Sequence, residues 1–212
     1  ARLASKNSVQ VDGKTYEAKK IVIATGSKSA VPPIPGIRSE RVLDSTAILC
    51  LREVPGKLAI IGGGFIGLEF ASFFAAIGTE VTVLEALPNI ATGSDLEISK
   101  RLLQELRKSG IDIKTSCKVV GIEGSTVQFE ASGGAAGSLE VDYILNSTGR
   151  APVIEDLGLE EVGVYFDRKG IKTSDQGKTN VAGIWACGDV TGRRQLAHAA
   201  TREGLVAVNN MF

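Results

Sequence analysis

An excess of charge of either sign is missing from this 212-residue sequence, in which Lys+Arg and Asp+Glu number 24 each. A balanced chain carries no electrostatic footprint for nucleic acid or an anionic membrane surface, so neither is an expected partner. No apolar run reaches the roughly 18 residues of a spanning helix, and no secretory leader pattern is present. Cysteine is sparse. Cys50, Cys117 and Cys187 are odd in number and far apart, which argues against a disulfide framework or a zinc site. A reducing, cytoplasmic setting is the expectation. Histidine occurs once, as His198, and methionine once, as Met211. With no initiating Met, a start inside a strand pair and an end on an apolar helix, the sequence reads as a fragment of a longer chain.

What the chain does have is apolar residues, at 43%, and 25 glycines. That suffices for one large domain or two smaller ones. Val9–Val11 and Thr15–Glu17 read as a hairpin turning on Asp12-Gly13, and Ile21–Ala24 as a short buried strand. Four of the six prolines then fall between Pro32 and Pro55. Proline fixes φ and removes a donor, so this stretch is an extended connection and a domain boundary. Beyond it come strand Leu58–Ile61, helix Phe65–Ile77, strand Val81–Leu84, helix Leu96–Lys108 and strand Ile111–Lys114. That alternation predicts a parallel sheet with right-handed crossovers. Strands at Val119–Ile122 and Thr126–Glu130, a flexible loop over 132–138 and a strand Leu139–Leu145 follow. A second boundary near Arg150–Pro152 precedes a strand at Gly183–Cys187 and a helix from Leu196 to Asn210. The predicted class is α/β: a Rossmann-like parallel sheet with an antiparallel β-meander, inserted in an incomplete second α/β domain. The expected domains are 1–31, 32–151 and 152–212.

The stretch Lys57–Phe70, KLAIIGGGFIGLEF, carries the clearest chemistry. Gly62 permits a tight turn off the strand, Gly64 lets backbone approach a pyrophosphate, and Gly67 lets helix and sheet pack closely. The helix start offers unpaired N–H groups and about half a positive charge to phosphates. Such a cradle needs an acid at the end of the next strand, and Glu85 closes VTVLE at the required distance. Its carboxylate accepts from ribose hydroxyls and repels a 2′-phosphate. No Arg or Lys follows until Lys100, so NAD is favoured over NADP. Glu69 is one of only two polar side chains on the helix, the other being Ser72. It is either a first-turn acid favoured by the helix dipole or a group aimed at the reacting end of a cofactor. Phe65, Phe70, Phe73 and Phe74 are expected in the core.

Two further stretches resemble ligand loops, Ile21–Ser27 (IVIATGS) and Gly183–Asp189 (GIWACGD). Asp189 is open to two readings, a turn residue bonded to its own backbone or an acceptor for a ligand hydroxyl. Together with the cradle they give ATGS, GGGFIGLEF, VTVLE, STGR and A-x-GD in order, at 24–27, 62–70, 81–85, 147–150 and 186–189. This combination resembles the pyridine nucleotide-disulfide oxidoreductase family along the whole chain. Gln195–His198 with Glu203-Gly204 is most similar to its dihydrolipoamide dehydrogenase branch.

The resemblance implies that the middle domain binds NAD and the two outer segments are parts of a FAD-binding domain. Gly62, Gly63, Gly64, Phe65, Ile66, Gly67, Glu69 and Glu85 would hold NAD, with Val119 and Gly149 lining its adenine and nicotinamide sides. Thr25, Gly26 and Ser27 would touch the flavin nucleotide, and Asp189 would accept from its ribityl chain. Gln195, Leu196, Ala197 and His198 would start a helix pointing at the flavin ring. It also implies a lysine partner for Glu69 from an upstream flavin segment. His198 is expected to act through its backbone, the family's base lying in a downstream domain. None of the cysteines forms the C-x-x-x-x-C pair that relays electrons. The implied parent is a homodimeric enzyme passing electrons from a dithiol such as lipoamide, carried by a partner complex, through a disulfide and FAD to NAD⁺. The fragment alone would bind NAD(H) and turn nothing over. Another flavin disulfide reductase, an NADH oxidase relative or a non-catalytic NAD module are the alternatives.

Overall fold

Short apolar runs separated by two helical stretches fold the middle of the chain into a five-stranded parallel sheet. The computed structural model describes residues 1–212 and divides into two units, one of Ser29–Gly149 and one of Ala1–Lys28 with Arg150–Phe212. In chain order the first of these contains β1 (Val42–Leu43), β2 (Lys57–Ile61), α1 (Phe65–Ala76), β3 (Glu80–Leu84) and α2 (Leu96–Lys108). It continues with β4 (Asp112–Lys114), β5 (Lys118–Glu123), β6 (Thr126–Glu130), β7 (Ala136–Glu140) and β8 (Tyr143–Asn146). The parallel sheet has the order β1-β8-β2-β3-β4, and β5-β6-β7 form a separate antiparallel sheet.

Strand periodicity explains the layering. Leu58, Ile60, Val83 and Leu145 face one core, shared with Leu68, Ala71 and Phe74 of α1 and Leu106 of α2. Ala59, Ile61, Leu84 and Ile144 face the other, shared with Val119, Ile122, Val127 and Phe129 of the antiparallel sheet. Central strands are therefore apolar on both faces, as a covered parallel sheet requires. Each fully buried Leu, Ile or Val contributes about 1.5–3 kcal/mol by leaving water. Asp95 caps α2 by accepting from the Glu97 N–H at 2.8 Å, and Arg107 and Lys108 complement the dipole at its far end.

Three expectations are corrected. The anticipated strand Leu139–Leu145 is two strands, β7 and β8, broken at Val141-Asp142. Asp142 ties that break to the start of β2: its N–H donates to the Lys57 carbonyl at 3.0 Å and its Oδ2 accepts from the Lys57 N–H at 2.8 Å. Three of the seven residues of the anticipated loop 132–138 are strand, because Phe129 pairs with Gly137 and its ring fills the space a Cβ would take, 2.6 Å away. Phe65 and Phe73 are 58% and 56% exposed; only Phe74 of the four phenylalanines is fully buried. On α1 nearly every side chain is apolar, so composition could not tell which face is covered.

In the second unit, strands Ser8–Val11 and Lys14–Glu17 form the expected hairpin, with Arg2–Ser5 as a third antiparallel strand. Asp12 and Gly13 both have positive φ, +47° and +78°, the requirement of the tightest hairpin turn. Ile21–Ile23 pairs in parallel with Ile184–Ala186. A helix Ala197–Asn209 follows a 3₁₀ turn at Gly188–Thr191. Leu3, Ile21, Ile23, Leu159, Ile171, Ile184 and Val190 are among the residues of this unit's core.

Candidate functional site

In the Ser29–Gly149 unit the chain leaves β2 through Gly62, at φ +107°, with its N–H bonded to the Leu84 carbonyl at 2.9 Å. A Cβ at Gly62 would lie 2.6 Å from the Ser147 carbonyl, and one at Gly67 would lie 2.2 Å from the Gly62 carbonyl. Backbone here is packed against backbone, so these two glycines are required by close approach. Gly64 differs. It is the N-cap of α1 in extended conformation, makes no side-chain cap, and a Cβ on it would meet nothing within 4 Å. The space above Gly64 is open, and the first N–H groups of α1 point out of an uncapped helix start.

Glu85 is buried at the end of β3. Its Oε2 accepts from the Gly63 N–H at 2.5 Å and its Oε1 from the Leu87 N–H at 2.7 Å. Each carboxylate oxygen keeps a second lone pair for another donor. Gly62, Gly64, Glu85, Val119 and Gly149 line one cavity of about 670 Å³, a size suited to a small-molecule ligand. Gly63 joins it through Glu85, and Gly67 backs it through Gly62. Phe65, Ile66 and Glu69 do not line it. Glu69 is exposed and lies just past the first turn of α1, so the dipole account of it loses force.

Linear spacing missed several residues of this cavity. Pro32–Ile34 supply one wall, Thr148 and Ser147 another, and Lys118 stands next to Val119. Ser147 Oγ lies 3.0 and 3.1 Å from the Ile61 and Gly62 carbonyls and shares its one proton between them, pinning the glycine turn. Ser147 lay within the STGR stretch, whereas nothing in the sequence near Glu85 announces Lys118. The Cys117 N–H donates to the Glu85 carbonyl at 2.8 Å, which brings the start of β5 to the end of β3, and Lys118 lines the same cavity as the acid. Burial pushes the Cys117 thiol up, partly offset by Lys114.

In the other unit, Thr25, Gly26 and Ser27 are drawn to Val153, Arg150 and Asp189. Thr25 Oγ1 donates to the Val153 carbonyl at 2.7 Å, and the Gly26 carbonyl accepts from the Val153 N–H at 2.9 Å. Ser27 Oγ donates to Asp189 Oδ2 at 2.5 Å. Gln195, Leu196, Ala197 and His198 are exposed and bond none of these residues; the helix starts at Ala197 with no side-chain cap. Burial, reinforced by Glu203, pushes the Cys187 thiol up. All three cysteines are free, Cys50 being exposed. No group of three His, Cys, Asp or Glu is placed to hold a metal, and no helix is long and apolar enough to cross a membrane.

The profile of the pyridine nucleotide-disulphide oxidoreductases matches residues 1–204. The chain belongs to that family. Members of the pyridine nucleotide-disulphide oxidoreductase family use FAD and NAD. The dihydrolipoyl dehydrogenase of Chlamydia muridarum is 41% identical over 99% of this chain and 46% of its own length. Dihydrolipoyl dehydrogenase 3 of Pseudomonas aeruginosa is 42% identical over 100% of this chain and 47% of its own. The chain thus spans about half the length of such curated relatives. Among solved structures, the HOCl-induced flavoprotein disulfide reductase RclA from Escherichia coli matches with a TM-score of 0.90 at 35% identity, covering 100% of this chain and 49% of that one. An adenine dinucleotide fits the residues of the Ser29–Gly149 unit: backbone open at Gly64, an uncapped helix start, and a buried carboxylate with spare lone pairs.

Proposed function

We propose that this chain supplies the NAD site and part of the FAD site of a flavin-dependent disulfide oxidoreductase. The parent passes electrons from a dithiol of the dihydrolipoamide type, through a protein disulfide and FAD, to NAD⁺. The observation that carries the reading is the shared cavity: the open face of Gly64 and the carboxylate of Glu85 line the same space. Residues 32–151 are the NAD domain, and 1–31 with 152–212 belong to the FAD domain. NAD supplies a hydride acceptor when bound. The chain's own contributions are positional. Gly64 and the α1 start hold the pyrophosphate by N–H donation, and Glu85 holds the ribose diol. Val119 and Gly149 border the adenine and nicotinamide ends; Glu69, exposed and outside the cavity in this chain, would meet the reacting end only beside a residue supplied from elsewhere in the parent. Thr25–Ser27, Asp189 and the helix start at Gln195–His198 serve the flavin. The relay cysteines belong to the rest of the parent, because Cys50, Cys117 and Cys187 contain no C-x-x-x-x-C pair.

The names of the dihydrolipoyl dehydrogenase relatives favour a dithiol of the dihydrolipoyl type; a partner complex that carries it and a homodimeric parent complete the proposal. The RclA likeness favours a second reading, a disulfide reductase with another oxidant or thiol. Two measurements decide. Titrating the 212-residue chain with NADH by calorimetry should show binding at one site, and no heat would overturn the NAD assignment. Assaying the full-length protein with dihydrolipoamide should give NADH; failure there, with NADH-driven reduction of another disulfide, would select the second reading.

A further inference from the structure

Ser27, Arg150 and Asp189 are far apart in sequence yet form one hydrogen-bonded group in the Ala1–Lys28 and Arg150–Phe212 unit. Arg150 Nε donates to Ser27 Oγ at 2.6 Å and its Nη2 to the Ser27 carbonyl at 2.8 Å. Ser27 Oγ in turn donates to Asp189 Oδ2 at 2.5 Å. Arg150 Nε is 3.8 Å from that same Oδ2, too far for a hydrogen bond but close enough for attraction. The Arg150 and Asp189 side chains are 29% and 23% exposed, so the group is half-buried.

A hydroxyl has one proton, and Ser27 gives its proton to Asp189. It therefore has none to offer a ligand. Left alone, a serine hydroxyl rotates and an aspartate carboxylate has a broad, two-fold torsion. Arg150 removes the first freedom by gripping Ser27 at two points with its rigid fork. The directed Ser27 proton removes the second. The Asp189 backbone is fixed separately, its carbonyl accepting from the Gly192 N–H at 2.9 Å. Asp189 Oδ1 is left without a hydrogen bond from the chain.

We infer that Arg150 and Ser27 are positioning residues: they hold the Asp189 carboxylate so that its free oxygen accepts a hydroxyl from the polyol chain of the flavin. This inference rests on the flavin reading above, and it moves Ser27 from a ligand contact to a relay. Arg150, to which the sequence reading gave no task, becomes the residue that sets the geometry.

The test uses the full-length protein and equilibrium dialysis against FAD. Ser27→Ala, Arg150→Met and Arg150→Lys should each weaken FAD by roughly 10-fold or more, the size of one lost hydrogen bond to a charged group. Ser27→Thr, which keeps the hydroxyl, should bind nearly as wild type. Arg150→Met combined with Asp189→Asn should bind no more weakly than Asp189→Asn alone, since the arginine acts only through the carboxylate. NADH affinity should stay within about 2-fold in all of them, a readout that general loss of structure would not spare. Additive losses in the double variant would overturn the relay, because Arg150 would then contact the flavin itself. Unchanged FAD affinity in Ser27→Ala would also overturn it while leaving the flavin reading intact. Should Arg150→Met fail to fold, the Ser27→Ala and Ser27→Thr pair carries the same decision. A wild type that takes up no FAD overturns both.

Discussion

As proposed above, the glycine cradle and the Ser27–Arg150–Asp189 group would each hold a polar ligand, and they are built for it in opposite ways. The cradle is made almost wholly of backbone, and its parts from Gly62 to Glu85 are close in sequence. The other group is made of side chains and joins residues up to 162 positions apart. Backbone sites are specified by where side chains are absent, so they are intolerant of any addition. Side-chain sites are specified by which hydrogen each donor gives, so they fail by losing one link.

The largest effect expected on the backbone side is Gly67→Ala. Its Cβ would meet the Gly62 carbonyl at 2.2 Å. Thermal unfolding should show a loss of about 3 kcal/mol, at the top of the range for overpacking, and NADH binding should vanish. Glu85→Ser comes next. Removing the carboxylate strands the Gly63 and Leu87 N–H groups and should weaken NADH by about 10- to 100-fold. With Lys118 lining the same cavity, NADPH should then bind better than NADH, and adding Lys118→Ala should cancel that gain. Equal affinity for both nucleotides in the single variant would sink this use of Lys118. Gly64→Ala sharpens the contrast with Gly67. Its Cβ points into open space at a permitted φ of −76°, so stability should change by no more than about 1 kcal/mol, while NADH weakens because the ligand now meets a methyl group.

The smallest effect is on pH. Burial raises the Cys117 and Cys187 thiols above their ordinary value in the folded chain. The unfolded chain therefore releases those protons at lower pH. Their contribution is fully present below the ordinary thiol value of about 8.5 and is lost as pH rises through the folded values. Stability should decline on the alkaline side, and Cys117→Ala should flatten that decline. Alkylation at pH 8 should label exposed Cys50 well before the other two.

Much of the fold could be read from the sequence because local signals agreed. Helix Leu96–Lys108 is bounded by a capping Asp95 and a basic last turn, and its expected and observed limits coincide. The parallel sheet followed from the alternation of strand and helix segments along the chain. What could not be read was set by distant partners. The break at Asp142 depends on Lys57, and the exposure of Phe65 and Phe73 depends on what α1 does not meet. The same holds in the site. Gly64 and Glu85 obey a spacing rule, but Lys118 and Arg150 gain their neighbours only after folding.

The position of β8 has a consequence for assembly. It is the last strand of its sheet to be made, yet it lies between β1 and β2. A nascent chain halted before Tyr143 would leave one side of β2 without its partner and the glycine turn without Ser147. Such long-range closure is slow compared with local helix formation. Nucleotide capture should therefore switch on only once the ribosome has released Ser147, late in synthesis of this unit, and trailing by many residues the motif that announces it.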